Sequence, residues 1–274
     1  MYDMKITVIS DNIGSGDLKG EWGLSFYIEY EGKRLLLDTG GSGLFLANAE
    51  KLGIDLSSVD AAILSHAHYD HSLGMEAFFG TNDKAVFFLS PAAKENCYAG
   101  WRFLSRYIGL PKGVLSEYAS RIRQPEGIVE ILPEVFIVPH STPGLKRTGR
   151  AAHMYLKKGF LNYRVDDFSH EQSLVFRTGD GLVIFNSCSH SGADIVMDEV
   201  VRAFPGERVK AYLGGLHLFR MDESEVRDMA RKIRDTGIRR VITGHCTGDM
   251  AFAVLKSCLG ESMDQFHCGM VIDL

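Results

Sequence analysis

Three histidines and one aspartate fall within six positions of the stretch Leu64-Ser65-His66-Ala67-His68-Tyr69-Asp70-His71-Ser72-Leu73-Gly74. The apolar run 61–65 predicts a buried strand, so these coordinating side chains follow directly on a strand end. Imidazole nitrogen and carboxylate oxygen are ligands for borderline or hard divalent metal ions, and alternate residues of an extended turn can aim two rings at one ion. The stretch therefore predicts a metal site that includes His66, His68, Asp70 and His71.

Strand and helix patterns alternate on both sides of this stretch. Apolar runs that predict strands lie at 5–10, 24–30, 34–38, 61–65, 173–176, 182–186, 209–213 and 238–243. Glu31-Gly32 predicts a hairpin turn, helical spacing marks 44–52, and Asp222 with Glu225 predicts the capped start of another helix. We therefore expect two related α/β halves that share one core and form one domain over 1–274.

The middle of the chain has a less regular pattern. From about 91 to 150 it mixes aromatic residues with arginines and lysines, and we expect a helical, partly basic insertion there. Three roles stay open for it: a cover over a site, a solvated surface insertion, or a dimer surface. A homo-oligomer is therefore left open.

The composition argues against nucleic-acid and membrane partners. Lys and Arg total 30 while Asp and Glu total 35, so the net charge of -5 gives no general field that attracts polyanions. No apolar run approaches the roughly 20 residues of a membrane span, and the first residues lack the pattern of a signal peptide. Five cysteines without zinc-finger pairing favour a reducing compartment. We expect a cytoplasmic protein.

Further histidines follow strands in the second half of the chain. His190 follows the strand 182–186 and His245 follows the strand 238–243, each beside glycine, and both are predicted metal ligands. His217, in Gly214-Gly215-Leu216-His217, is expected to contact the substrate or to transfer a proton. For His140, His153, His170 and His267, ordinary surface or core roles are expected.

The sequence His-x-His-x-Asp-His after a buried strand resembles the signature of the metallo-β-lactamase superfamily. The resemblance implies a four-layer αββα sandwich of the α/β (α+β) class, with metal ions at one edge. Asp38-Thr39-Gly40 resembles the early aspartate loop of the superfamily, which implies that Asp38 orients a ligand histidine. The alternative for Asp38 is a simple turn residue.

One position departs from that family pattern. Most members carry a bridging aspartate where this chain has Ser187-Cys188-Ser189, so the number of ions, one or two, stays open. Cys188 is expected beside the metal, either as a soft ligand or as a small buried thiol. Zinc is the first choice for the ion, with manganese and iron as alternatives.

Shorter signatures narrow the resemblance to one branch. They are Asp11-Asn12, Glu21-Trp22-Gly23-Leu24-Ser25, His170-Glu171-Gln172-Ser173-Leu174, Cys188-Ser189-His190, Gly214-Gly215-Leu216-His217-Leu218 and His245-Cys246-Thr247-Gly248. Together they resemble the dihydropterin-methyl-ribofuranosylaminobenzene phosphate synthases. That activity joins a dihydropterin-methyl diphosphate to a ribosylaminobenzene phosphate and releases diphosphate.

The leading functional hypothesis is a metal-dependent enzyme that acts on a phosphorylated or diphosphorylated small molecule. Asp70 and His217 are its expected catalytic residues, and Arg102 and Arg106 are expected phosphate contacts because guanidinium pairs with phosphate oxygens. One alternative is a hydrolase of phosphodiester, lactone or thioester bonds. Two others are a di-iron redox protein, disfavoured by His68 where a carboxylate is usual, and a catalytically silent ligand-binding or sensing protein.

Overall fold

The structure is a computed structural model that describes residues 4–101, 104–140, 142–159 and 162–274. Its strands are β1 (Met4–Ser10), β2 (Ser25–Tyr30), β3 (Lys33–Leu37), β4 (Ala61–Ile63), β5 (Val86–Phe88), β6 (Cys97–Ala99), β7 (Arg106–Tyr107), β8 (Ile122–Arg123), β9 (Val129–Leu132), β10 (Val135–Pro139), β11 (Met154–Lys157), β12 (Tyr163–Val165), β13 (Gln172–Thr178), β14 (Gly181–Phe185), β15 (Val209–Leu213), β16 (Arg240–Thr243), β17 (Met263–Gln265) and β18 (Val271–Asp273).

The α-helices are α1 (Leu44–Lys51), α2 (Tyr69–Ser72), α3 (Met75–Thr81), α4 (Val114–Glu117), α5 (Lys146–Ala151), α6 (Ala193–Ala203), α7 (Glu223–Asp235) and α8 (Asp249–Leu259). Short 3-10 helices lie at Leu56–Ser58, Ala119–Arg121, His245–Thr247 and Gly260–Ser262. Within residues 4–101, 104–140, 142–159 and 162–274, no helix is both long enough and apolar enough to cross a bilayer.

The chain divides into two compact units, each with its own hydrophobic core. The first unit comprises the described residues of Met1–Glu126, Pro143–Glu171 and His267–Leu274, and the second those of Gly127–Thr142 and Gln172–Phe266. That they form a single domain stays a prediction.

Both units contain a sheet with the same order of pairings. In the first unit the described strands run β18-β1-β2-β3-β4-β5-β8, and the three pairings up to β3 are antiparallel while the three after it are parallel. In the second unit the order is β9-β10-β13-β14-β15-β16-β17, again with three antiparallel pairings followed by three parallel ones. β3, β4 and β5 therefore correspond to β14, β15 and β16.

Local sequence explains the turns and caps that frame these sheets. Glu31 and Gly32 have φ of 47° and 72°, the left-handed pair that a two-residue hairpin requires, and they join β2 to β3 as predicted. Asp222 Oδ1 accepts from the N–H of Glu225 at 3.0 Å, and Glu225 Oε2 accepts from the N–H of Asp222 at 2.9 Å. This reciprocal cap starts α7, whose apolar face is buried at Val226, Met229, Ala230 and Ile233.

The segment predicted as a helical insertion over about 91–150 is mostly not helical. Its described residues hold the five strands β6 to β10 and only two short α-helices, α4 and α5. β6 and β7 join β11 and β12 in a further sheet, ordered β12-β11-β6-β7. The strands of this segment have only two to five residues, so they show little of the periodicity from which a strand is predicted. Some of them also pair with strands that are distant in sequence.

Candidate metal centre

The coordinating stretch of the first unit begins where β4 ends. His66, His68 and His71 are only 1%, 4% and 0% exposed. The ring centroids of His66 and His68 lie 4.7 Å apart, and those of His66 and His71 lie 4.2 Å apart. The structure therefore brings together the three histidines of the predicted site.

Asp38 connects the end of β3 to this stretch. Its Oδ1 accepts from the N–H of Ser65 at 2.7 Å, and its Oδ2 lies 2.7 Å from Oγ of Ser65 and 2.8 Å from Nδ1 of His71. Asp38 has a φ of 61°, an uncommon conformation for a residue other than glycine. Because the carboxylate can only accept from His71, Nδ1 of that ring carries the proton and Nε2 keeps the lone pair that a metal needs.

Ser65 extends the same arrangement to His66. Its hydroxyl donates to Asp38 and lies 2.9 Å from Nδ1 of His66. Since the one hydroxyl proton goes to the carboxylate, Nδ1 of His66 is the donor in the second contact. His66 thus also has its lone pair on Nε2. One buried carboxylate fixes the tautomers of two imidazoles.

Asp70 is held through both its backbone and its side chain. Its Oδ2 accepts from the indole N–H of Trp22 at 2.8 Å, and its backbone carbonyl accepts from the N–H of Leu24 at 3.2 Å. The residue is 8% exposed, whereas Trp22 is 42% exposed. Residues of the Glu21-Trp22-Gly23-Leu24 signature therefore have a direct contact with the coordinating stretch.

His68 is kept neutral by its surroundings. Burial lowers the pKa of His68 to about 3. A neutral imidazole is the form that binds metal ions. The environment of His68 is therefore suited to a ligand rather than to a cation.

A second group of residues with metal-ligating types of side chain lies in this unit and was not predicted from the sequence. The ligand atoms of His68, Cys97, Asp166 and His170 all lie within 4.8 Å of one another, and all four residues are buried. His170 was assigned an ordinary core or surface role. Asp166 and His170 come just before β13. The sequence signal that could have indicated His170 is the His170-Glu171-Gln172 signature at the start of that strand.

The second unit gathers its own coordinating side chains after β14, β15 and β16. His190 and His217 follow β14 and β15, and their ring centroids lie 4.4 Å apart. Ligand atoms of Cys188, His190 and His217 lie within 4.8 Å of one another. β15 corresponds to β4 of the first unit, so His217 follows the same strand of the repeat as His66.

His245 lies in a group with two thiols. The ligand atoms of Cys188, His245 and Cys246 lie within 4.8 Å of one another, and the two sulfur atoms are 3.4 Å apart. Burial raises the pKa of the Cys246 thiol, but contacts with Cys188 and His217 lower it by more, so the net pKa lies well below the ordinary value. Cys246, which the sequence analysis did not select, thus accompanies Cys188 as a soft donor.

The backbone of these loops is tightly constrained. Ser189, His217 and His245 have φ of 54°, 52° and 48°, in the left-handed region. Such conformations cluster at functional sites because the surrounding structure must hold them in place. Ser189 is held by Asn186, whose Oδ1 accepts from its N–H at 2.7 Å.

Asn186 in turn belongs to a buried polar network. Its Nδ2 donates to Oγ of Ser173 at 3.0 Å and lies 3.2 Å from Nε2 of His140. Nδ1 of His140 lies 2.6 Å from Oε2 of Glu199 on α6. His140, assigned an ordinary role, is therefore a buried structural residue that supports the loop carrying His190.

The two arginines expected to contact phosphate are Arg102 and Arg106. Arg102 lies outside the described residues. The guanidinium carbon of Arg106 lies 5.8 Å from the ring centroid of Tyr69, the residue between His68 and Asp70. Arg106 is exposed. A cation is thus present next to the coordinating stretch.

The donor sets of both units fit a divalent metal ion. In the first unit, Nε2 of His66 and Nε2 of His71 are set by hydrogen bonding as lone-pair nitrogens, and the pKa of His68 keeps that ring neutral. In the second unit, imidazoles lie together with thiols. Imidazole and thiolate favour zinc among the ions considered, although manganese and iron also accept imidazole and carboxylate.

Comparison with known proteins agrees with the fold described above. Residues 23–153 match the model of the metallo-beta-lactamase superfamily. The structure is similar to that of Tm1679, a metal-dependent hydrolase of the beta-lactamase superfamily, with a TM-score of 0.84, 28% identity and 99% of each chain covered. The chain has the metallo-β-lactamase fold, as predicted from its sequence. Members of this superfamily are metal-dependent enzymes.

Two relatives are similar over nearly the whole chain. The 7,8-dihydropterin-6-methyl-4-(beta-D-ribofuranosyl)-aminobenzene-5'-phosphate synthase of Methanocaldococcus jannaschii is 26% identical over 261 residues, 91% of this chain and 89% of that protein. The uncharacterized protein MJ0448 of the same organism is 25% identical, covering 98% of this chain and all of that protein. The predicted resemblance to the synthase branch is thereby confirmed.

Proposed function

We propose that this chain is a metal-dependent transferase that joins a dihydropterin-methyl diphosphate to an arylamine phosphate and releases diphosphate. The observation that carries the proposal is the similarity to the synthase over 91% of the chain, together with the coordinating residues described above. An anionic small molecule is thus the proposed partner. The cytoplasm is the proposed location.

The proposed metal ligands are His66, His68, Asp70 and His71 of the first unit and His190 and His245 of the second. Zinc is the proposed ion, in one or two copies. When bound, a divalent ion polarises a phosphoryl oxygen and lowers the pKa of a coordinated water. Asp38 and Ser65 contribute by keeping Nε2 of His66 and His71 unprotonated. Cys188 lies beside His190 as a further donor.

Other side chains of the site act on the substrate itself. Arg106 is proposed to bind the diphosphate, because a guanidinium can donate two parallel hydrogen bonds to phosphate oxygens. His217 is proposed to transfer a proton at the reacting nitrogen or oxygen, with Asp70 as the second catalytic residue. A His at the end of a parallel strand is well placed for such a role, since ligands bind at the carboxyl ends of these strands.

A second candidate function is hydrolysis of a phosphodiester, lactone or thioester bond. The similarity to the metal-dependent hydrolase Tm1679, at 28% identity over 99% of both chains, favours it. The same ligands and the same Arg106 would serve either reaction. The two differ only in the nucleophile, which is water in one case and an amine or aryl acceptor in the other.

Product analysis in heavy-oxygen water separates the two functions. The zinc-loaded protein is given the dihydropterin-methyl diphosphate with and without the ribosylaminobenzene phosphate. Transfer predicts diphosphate release that requires the acceptor and no heavy oxygen in the pterin product. Release without acceptor, with heavy oxygen incorporated, would replace transfer by hydrolysis. His66→Ala serves as the inactive control for both.

A further inference from the structure

We infer that Asp166 and His170 are positioning residues for the coordinating stretch of the first unit: they hold the backbone at Ala67 and keep the lone pair of His68 on Nδ1. This inference rests on the metal centre proposed above. Neither residue is among its proposed ligands. Both come from the short segment between β12 and β13, which is far from the stretch in sequence.

A competing explanation is that His68, Cys97, Asp166 and His170 form a metal site of their own. Two imidazoles, one carboxylate and one thiol are a chemically complete zinc donor set. The hydrogen bonds of His170 argue against it. Nδ1 of His170 accepts from the N–H of Ala67 at 3.2 Å, and Nε2 lies 3.2 Å from Oδ2 of Asp166. A neutral imidazole has one lone-pair nitrogen, and here it is used by Ala67.

The positions of the protons on His170 define what its two hydrogen bonds do. Since Nδ1 of His170 accepts, Nε2 carries the proton and donates to Asp166. His170 therefore links the carboxylate to the peptide between His66 and His68. Its ring also packs on both neighbours, with a centroid 6.2 Å from that of His66 at 14° between planes, and 5.2 Å from that of His68 at 67°.

Asp166 acts on His68 by charge. Its Oδ2 lies 4.0 Å from Nε2 of His68, and the two side chains are 0% and 5% exposed. A buried carboxylate next to one ring nitrogen favours the tautomer with the proton on that nitrogen. The proton of His68 is thus kept on Nε2, and the lone pair lies on Nδ1. In His66 and His71, by contrast, the contacts with Ser65 and Asp38 place the proton on Nδ1 and leave the lone pair on Nε2.

The support behind Asp166 is rigid. Its Oδ1 accepts from the N–H of Phe168 at 2.8 Å, and its N–H donates to the carbonyl of Met154 on β11 at 3.0 Å. Phe168 is fully buried with a left-handed φ of 50°, and its ring centroid lies 6.3 Å from that of His68. A Cβ on Gly149 of α5 would lie 2.2 Å from the carbonyl oxygen of Asp166, so this backbone contact requires glycine.

The test measures metal affinity rather than catalysis. The proteins compared are the wild type, Asp166→Asn, His170→Leu and His170→Gln. For each, competition with a chromophoric chelator gives the Zn²⁺ dissociation constant. The visible spectrum of the Co²⁺ form and the melting temperature of the metal-free protein are also recorded. Asp166→Asn and His170→Leu are expected to weaken Zn²⁺ binding about 10- to 100-fold and to alter the Co²⁺ spectrum. His170→Gln can both accept from Ala67 and donate to Asp166, and it is expected to restore affinity to within about threefold.

Asn48→Ala is the matched control for stability. Asn48 is a buried polar residue of the same unit that bonds to Ile9 and Lys19. Its loss should lower the melting temperature and leave the Zn²⁺ dissociation constant unchanged. If Asp166→Asn behaves like Asn48→Ala, the two residues have only a packing role and the inference is wrong, while the proposed function stands.

Two other outcomes are also decisive. A sulfur-to-cobalt band in the wild type that disappears in Cys97→Ser would show that the four residues bind a metal themselves, which overturns the positioning role. A wild type that binds no Zn²⁺ would overturn the metal centre and this inference together. Should His170→Leu fail to fold, Asp166→Asn and His170→Gln still give the answer.

Discussion

Nδ1 of His71 lies 2.8 Å from Oδ2 of Asp38, and both side chains are completely buried. The contact fixes which nitrogen of His71 is available for coordination, and Ser65 passes the same constraint to His66. Asp38→Ala is therefore expected to raise the Zn²⁺ dissociation constant about 10- to 100-fold, the usual effect of losing a carboxylate behind a ligand histidine. Chelator competition measures it. Asp83→Ala, at an exposed aspartate of the same unit, should bind Zn²⁺ like the wild type.

Arg106 provides a test of the proposed phosphate contact. Arg106→Glu is expected to raise KM for a diphosphorylated substrate by about 10-fold or more, because a charge-assisted pair is replaced by repulsion. Steady-state kinetics at two salt concentrations would measure this. Arg239→Glu, at an exposed arginine of the second unit, has the same change in net charge and should leave KM unaltered. Equal KM values in both variants would remove Arg106 from the site.

Gly214 is required by a close approach of two backbone segments. It has a φ of 149°, and a Cβ there would lie 1.8 Å from the carbonyl oxygen of Asn186. Gly214→Ala is expected to lower the free energy of unfolding by more than about 2 kcal/mol, since neither backbone can move without disturbing a strand end. Denaturant unfolding gives the value. For Gly179→Ala a Cβ meets nothing within 4 Å, and a small effect is expected.

The pair of His140 and Glu199 predicts a dependence of stability on pH. Burial raises the pKa of Glu199, but hydrogen bonds from His140 and Thr142 lower it by more, so its pKa in the folded state is below the ordinary value of 4.5. The ionised form is thus favoured by folding. Its contribution is complete above the ordinary pKa and is lost as the pH falls through the folded-state pKa.

Glu199→Gln tests this sign. The free energy of unfolding of the wild type should fall more steeply between about pH 5 and pH 3 than that of the variant, because only the wild type loses this carboxylate. Parallel slopes in urea titrations at both pH values would contradict the assignment. Glu261→Gln, at an exposed carboxylate in the second unit, controls for general loss of charge.

The sequence predicts the fold well where an apolar run is uninterrupted or a helix cap is explicit. The strand 209–213 and the helix that starts after Asp222 are found as predicted, because a short apolar run and a reciprocal cap are local signals. The short strands β6 and β7 of the middle segment are missed because β6 pairs with β7 and with the distant β11, and such pairings cannot be predicted from runs of two or three residues. Here tertiary pairing, not local propensity, decides the structure.

The residues of the site also divide into those that the sequence predicts and those that only the structure brings together. His66, His68 and His71 are close in sequence, and their pattern alone indicates that they lie together. His170 and Cys97 are distant from that stretch in sequence, and only the structure shows them beside His68. Cys246 was missed because a single cysteine next to His245 carries no spacing signal. Whether His190 and His245 complete the proposed ligand set stays a prediction.

The metal content of the purified protein tests the central claim most directly. Elemental analysis of the wild type, after exposure to Zn²⁺ and removal of loosely bound ions, is expected to give one or two ions per chain. The variant in which both His66 and His71 are replaced by alanine is expected to give less, with its fold retained by circular dichroism. A wild type without stoichiometric divalent metal would contradict the account and would favour a ligand-binding or sensing role.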